Sequence, residues 1–246
     1  VYCTAGFPRL EDTLVVMRAL QENGADMIEL GMPYSDPLAD GPVIQHSSAI
    51  ALQNGMTMKE LFEQLKDFRN KPSEGGVGPD IPVLLMGYMN PILQYGFEKF
   101  CIAASGVGID GLIVPDLPEY EFETEYGAVI KNHGLDFVFL VTPETSEERV
   151  KKLDELSHGF LYAVSSSSTT GRDKNMVDVK YYLQKIKNLK LKNPVLVGFG
   201  IKDKRTFEAA CEDASGAIIG TAFIKALENT SDVKKATKNF IDSVVK

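Results

Sequence analysis

Cysteine is scarce. Cys3, Cys101 and Cys211 are odd in number, far apart and show no CxxC spacing. That sets aside a disulfide framework and a zinc site, and it fits a reduced, cytoplasmic compartment. His46, His133 and His158 never fall at HxH or HExxH spacing, so no metal centre is expected. Basic residues are outnumbered, 26 against 34 acidic ones, for a net charge of −8. A nucleic-acid partner would call for a basic face, so none is expected. No apolar run reaches transmembrane length and no signal peptide opens the chain, so no membrane partner is expected either. No G-x-G-x-x-G comes after the first strand-like run, which disfavours a doubly wound dinucleotide fold. Lysine is missing from every strand-like run and from the positions just after the first six. Schiff-base chemistry in a barrel needs such a lysine, so covalent imine catalysis is set aside. The initiating methionine is also absent, and the chain opens directly on V-Y-C-T-A-G. A short preceding N-terminal segment is therefore expected.

Two patterns are present, and they repeat. The 246 residues, 44% hydrophobic and 24% charged, have the composition of an ordinary globular protein. Short apolar runs begin near Val1, Met27, Ile81, Gly111, Phe137, Phe160, Val195 and Ala217, and an amphipathic segment comes after nearly every one. Near-continuous apolar strands alternating with helices indicate a parallel sheet covered by helices. Eight such units predict a (β/α)8 TIM barrel, a single α/β domain spanning 1–246. The stretch P-S-E-G-G-V-G-P-D, Pro72 to Asp80, would then be a mobile connection on the N-terminal rim.

Barrel active sites are built from the loops at the C-terminal ends of the strands. The second run ends I-E-L-G and continues M-P-Y-S-D-P-L-A-D-G-P, a loop stiffened by prolines. Glu29 lies inside the apolar run, where burial of an unpaired carboxylate costs several kcal/mol or raises its pKa. Asp40 lies at the far end of the loop, where it could return towards Glu29. Two acids of different burial point to acid/base chemistry, while a salt-bridged core Glu and a turn-capping Asp would leave the same trace. After the seventh and eighth runs, Gly200, Gly220 and Thr221 offer bare backbone amides and a helix start for a phosphate. Each turn alone is equally a close-packed turn. Tyr88 and Tyr162 lie after or within strand ends as polar aromatics, and Tyr162 is equally a core aromatic with a satisfied hydroxyl. The run S-S-S-S-T-T-G-R-D-K-N after the sixth strand has the composition of a lid, or of an ordinary surface loop.

Taken together, E-L-G-M-P-Y-S-D-P-L-A-D-G-P, Asn90-Pro91, P-D-L-P, G-F-G-I and I-G-T resemble the tryptophan synthase α subunits over essentially the whole chain. The resemblance implies a lyase that cleaves indole-3-glycerol phosphate into indole and glyceraldehyde 3-phosphate. It implies no cofactor in this chain, with pyridoxal phosphate in a β-subunit partner and an αββα assembly. Glu29 matches the catalytic glutamate and Asp40 the aspartate that accepts from the indole nitrogen. Gly171, Gly200, Gly220 and Thr221 match the phosphate site, and Thr170 the lid threonine. Tyr2, Tyr88 and Tyr162 match pocket positions, while Pro33, Asp36, Asn90 and Pro91 match positions facing the β subunit. Ser166 stands where the family often has an arginine, which bears on lid closure. A free-standing indole-glycerol-phosphate lyase and a non-catalytic phosphate-binding partner are the competing expectations.

Overall fold

A computed structural model describes residues 1–78, 80–164, 176–198 and 200–246. The apolar runs form short parallel strands. They are β1 (Tyr2–Thr4), β2 (Ile28–Gly31), β3 (Val83–Met86), β4 (Gly111–Ile113), β5 (Asp136–Phe137), β6 (Leu140–Val141), β7 (Leu161–Val164), β8 (Val195–Gly198) and β9 (Gly216–Ile218). Neighbours in sequence pair in space, β1 through β5 in one ladder and β6 through β9 in another. The two ladders join through the fifth run, which forms two pieces rather than one strand. Val138 N donates to Leu112 O at 3.0 Å, and Tyr162 N donates to Phe139 O at 3.0 Å. The first half of that run thus serves β4 and the second half serves β7. Between them the Phe139 N–H is taken by the Ser157 hydroxyl at 3.1 Å, which interrupts the ladder. Tyr2 N donates to Ile219 O at 2.9 Å, joining the last run back to the first. The result is a closed (β/α)8 barrel.

The helices are α1 (Thr13–Glu22), α2 (Pro42–Gln53), α3 (Met58–Gln64), α4 (Met89–Tyr95), α5 (Phe97–Val107), α6 (Glu119–Glu121), α7 (Gly127–Asn132), α8 (Glu147–Leu156), α9 (Met176–Asn188), α10 (Lys204–Cys211), α11 (Thr221–Leu227) and α12 (Val233–Val245). A π-helical turn, Phe122–Tyr126, links α6 to α7. Local chemistry sets several starts. The Thr57, Ser146 and Asp232 side chains accept N–H groups of the first turns of α3, α8 and α12. Asp203 and Thr206 form a reciprocal capping box on α10. Each such cap contributes about 1 kcal/mol. The sequence pattern predicts one helix after β3, yet there are two. Pro91 falls in the first turn of α4, where an N–H has no intrahelical partner to lose. Gly96, at φ +95°, then ends α4 and begins α5.

Strand alternation separates two apolar layers. Val83 and Leu85, like Leu161 and Ala163, pack in the large core beneath the helices. Leu84, Ile113, Val138, Tyr162, Val164 and Ile218 fill the barrel interior. Glu29 is level with Leu84 on β3 and with Tyr2 on β1, so it belongs to the interior set. The chain's period of two thus aims a carboxylate into an apolar barrel.

Candidate active site

The C-terminal ends of the strands enclose a cavity of about 420 Å³. Glu29, Asp40, Tyr2, Tyr162, Gly200, Gly220 and Thr221 all lie on its wall. Seven candidates from five different strand ends therefore meet in one space. Met86, Leu140, Val164 and Ile218 supply an apolar wall that the sequence pattern alone did not single out. Their inward period-two positions were the available signal.

Glu29 is buried, and its Oε2 has no hydrogen-bond partner among the described residues. Burial pushes its carboxyl up to about 7, against the pull of the Val1 ammonium and with help from the charge of Asp40. Asp40 is pushed up to about 6 by burial, and a hydrogen bond from the Tyr88 hydroxyl acts in the opposite direction. The two acids thus titrate near neutrality, in the range where a carboxyl can both give and take a proton. Burial, with the charges of the same two acids, raises the Tyr2 and Tyr162 hydroxyls, which stay protonated.

Close approach to glycine places both pocket tyrosines. A Cβ on Gly31 would lie 2.1 Å from Tyr2 Oη, and one on Gly198 would lie 2.4 Å from Tyr162 Oη. Each ring therefore lies over a bare backbone on the neighbouring strand. Gly220 immediately precedes α11, and Thr221 is its first residue. Gly200 holds φ +80°, a conformation that favours glycine.

Tyr88, the third tyrosine expected at the pocket, is not among the residues of that wall. It is buried, and its Oη accepts from Ala39 N at 3.1 Å beside Asp40. Pro33, Asp36, Asn90 and Pro91 lie outside the cavity. Asp36 and Asn90 are exposed, with Pro33 and Pro91 half-buried. Asn90 Nδ2 donates to Tyr34 Oη at 3.0 Å, tying the loop after β2 to α4. Thr170, Gly171 and Ser166 lie outside the described residues.

A closed barrel that gathers two buried acids and two glycine turns at the C-terminal mouth has the architecture of a barrel enzyme. Comparison with known proteins supplies the family. The model of the tryptophan synthase alpha chain matches residues 1–245. The chain is 47% identical over 245 residues to the tryptophan synthase alpha chain of Bacteroides thetaiotaomicron, covering 99% of this chain and 93% of that one. It is 51% identical over 241 residues to that of Christiangramia forsetii, covering 97% and 91%. Among solved structures, a mutant tryptophan synthase alpha-subunit of Pyrococcus furiosus superposes with a TM-score of 0.87 at 34% identity, covering 99% and 96%. Tryptophan synthase from M. tuberculosis in an aminoacrylate-bound form gives 0.82 at 30%, covering 99% and 91%. The chain belongs to the tryptophan synthase alpha chain family. Its function is the one expected from the sequence: a carbon–carbon lyase of tryptophan biosynthesis that cleaves indole-3-glycerol phosphate. It does so as the partner of a β subunit that holds the pyridoxal phosphate.

Proposed function

We propose that Glu29 and Asp40 carry the cleavage. The protonated Glu29 gives its proton to indole C3, which turns the ring into an iminium-like electrophile. The Asp40 carboxylate accepts from the indole N–H and stabilises the positive charge there. Glu29, now a carboxylate, takes the proton of the glycerol hydroxyl on the carbon attached to C3. That C–O bond becomes a carbonyl, the carbon–carbon bond breaks, and its electron pair returns to the ring as indole. One proton leaves Glu29 and one returns, so the residue is regenerated. The supporting observation is a carboxyl inside an apolar barrel, raised to about 7, with Oε2 unpartnered among the described residues.

Gly200, Gly220 and Thr221 hold the substrate phosphate through backbone amides and the hydroxyl, with Gly171 joining them by resemblance. Tyr2 and Tyr162 flank the indole. Pro33, Asp36, Asn90 and Pro91 face the β subunit. Leu38 is 84% exposed in the same loop as Asp36, and Leu93 is 48% exposed on the helix that carries Asn90. Exposed apolar side chains beside these four residues favour a docked subunit over a free-standing lyase. The protein is one barrel domain working in the cytoplasm. Its three free cysteines fit that compartment.

The deciding measurement is indole release from indole-3-glycerol phosphate, with and without added β subunit. The wild type should be slow alone and accelerated by the partner, and Glu29→Gln should lose turnover while still binding substrate. Near-normal turnover in that variant would remove Glu29 from the chemistry.

A further inference from the structure

The loop from Met32 to Gly41 delivers Asp40 to the cavity, and Gln45 Nε2 of α2 donates to the Asp40 carbonyl at 2.8 Å. Met32 N donates to Met86 O at 2.7 Å, and within the loop Leu38 N reaches Asp36 O and Asp40 N reaches Pro37 O. The turn between β3 and α4 is built differently. Gly87 N donates to Ile113 O at 3.1 Å. Met89 N donates to both Asp116 carboxylate oxygens, at 3.0 and 3.2 Å. Tyr88 sits between those two anchored amides. The loop also packs closely on this turn, since a Cβ on Gly87 would lie 2.5 Å from Met32 Cε.

Tyr88 spans the gap between that turn and the loop. Its Oη accepts from Ala39 N at 3.1 Å, one residue before Asp40, and it holds the Asp40 carboxyl down against the effect of burial. Its ring packs on Tyr34, 5.5 Å between centroids, and Asn90 Nδ2 holds Tyr34 Oη at 3.0 Å. We propose that Tyr88 is the positioning residue for Asp40: it holds the loop at Ala39, one residue before, and so sets where the carboxylate points, braced by Tyr34 and Asn90. This rests on the reading of Asp40 as the group that meets the indole nitrogen. Tyr88 acts through Asp40.

The test compares Tyr88→Phe, Asp40→Asn and the double variant with wild type in the α–β complex. The readouts are kcat, KM and the pH profile of indole formation. A misplaced reacting or stabilising group costs up to about 100-fold. Tyr88→Phe should therefore lower kcat by about 10- to 100-fold with KM within about twofold. Among the described residues the titratable groups around Asp40 are Tyr88, Tyr2 from β1, Glu29 from β2 and Tyr162 from β7. Tyr88 holds the Asp40 carboxyl down against burial, so removing its hydroxyl should move the acid limb of the profile to higher pH. Adding Tyr88→Phe to Asp40→Asn should cost little more, since both act through one group. Tyr34→Phe, which loosens only the brace, should give a smaller loss of the same kind. A raised KM at unchanged kcat would make Tyr88 a wall residue and overturn the proposal. Additive losses in the double variant, or an unmoved acid limb, would overturn it too. Near-normal turnover of Asp40→Asn alone would instead sink the assignment of Asp40.

Discussion

At the N-terminal end of the barrel, Arg69 donates to Gly108 O at 2.8 Å, to Ile81 O at 2.7 Å and to the Asp110 carboxylate. Asp110 also accepts from Val83 N at 2.7 Å, and Arg18 donates to Gly76 O at 2.8 Å. At the C-terminal end Glu29 Oε2 is buried with no partner among the described residues. The same chain thus satisfies its charges at one rim and leaves one unsatisfied at the other. Satisfied charges hold a structure together, whereas an unsatisfied buried acid opposes folding and persists where chemistry uses it. The contrast assigns stability to one end and reactivity to the other.

Glu29→Gln should give the largest effect, and in two directions at once. Turnover should fall by about 10²- to 10⁴-fold, the range that general acid/base catalysis supplies. Stability should move the other way. The Glu29 carboxyl is raised from 4.5 to about 7 on folding, so between those values the folded chain holds more protons than the unfolded one. Stability contributed by this group is therefore present at low pH and is lost as pH rises. Above pH 7 the loss amounts to about 3 kcal/mol. Urea unfolding at pH 8 should find the Gln variant more stable by up to about that amount, and at pH 4 the advantage should shrink. Equal stabilities at both pH values would mean that Glu29 is compensated in solution, and the contrast between the rims would fail.

Arg69→Ala tests the other rim. It removes one guanidinium from two carbonyls and a carboxylate, and hydrogen bonds of charged groups contribute about 1.5–3 kcal/mol. The urea midpoint should drop by the equivalent of about 2–3 kcal/mol, while kcat at 25 °C stays within about twofold. A large fall in kcat without loss of stability would show that the N-terminal rim reaches the chemistry.

How far these ends can be told apart from sequence varies by residue. Strand runs and their order were legible because apolar runs with turn signals recur eight times. Glu29 stood out because a carboxylate in such a run is costly, and Gly200 and Gly220 because bare turns come after the last two strands. The contact of Tyr88 with Ala39 was not legible, because it depends on how the β3–α4 turn packs against the loop after β2, and residue spacing carries no such contact. The segment from Pro72 had the composition of a mobile connection. It nevertheless carries bonds to distant residues, Arg18 to Gly76 O and Val77 N to Phe68 O at 2.6 Å. Side-chain-to-carbonyl bonds across 58 residues of sequence leave no local pattern.

The smallest expected effect separates two glycines at the catalytic end. A Cβ on Gly198 would strike Tyr162 Oη, so its requirement is space. Nothing lies within 4 Å of a Cβ on Gly200, whose requirement is the left-handed φ of +80°. An L-residue pays about 1–2 kcal/mol for that conformation. Gly200→Ala should therefore lower stability by about 1 kcal/mol, less than Arg69→Ala. If the Gly200 amide holds the substrate phosphate equally before and during reaction, its displacement weakens uniform binding, so KM should rise several-fold at nearly constant kcat. Steady-state indole formation measures both. A fall in kcat at constant KM would mean that this turn acts only in the transition state, and unchanged kinetics would remove it from the phosphate site and leave the acids alone as the reason this rim is kept unsatisfied.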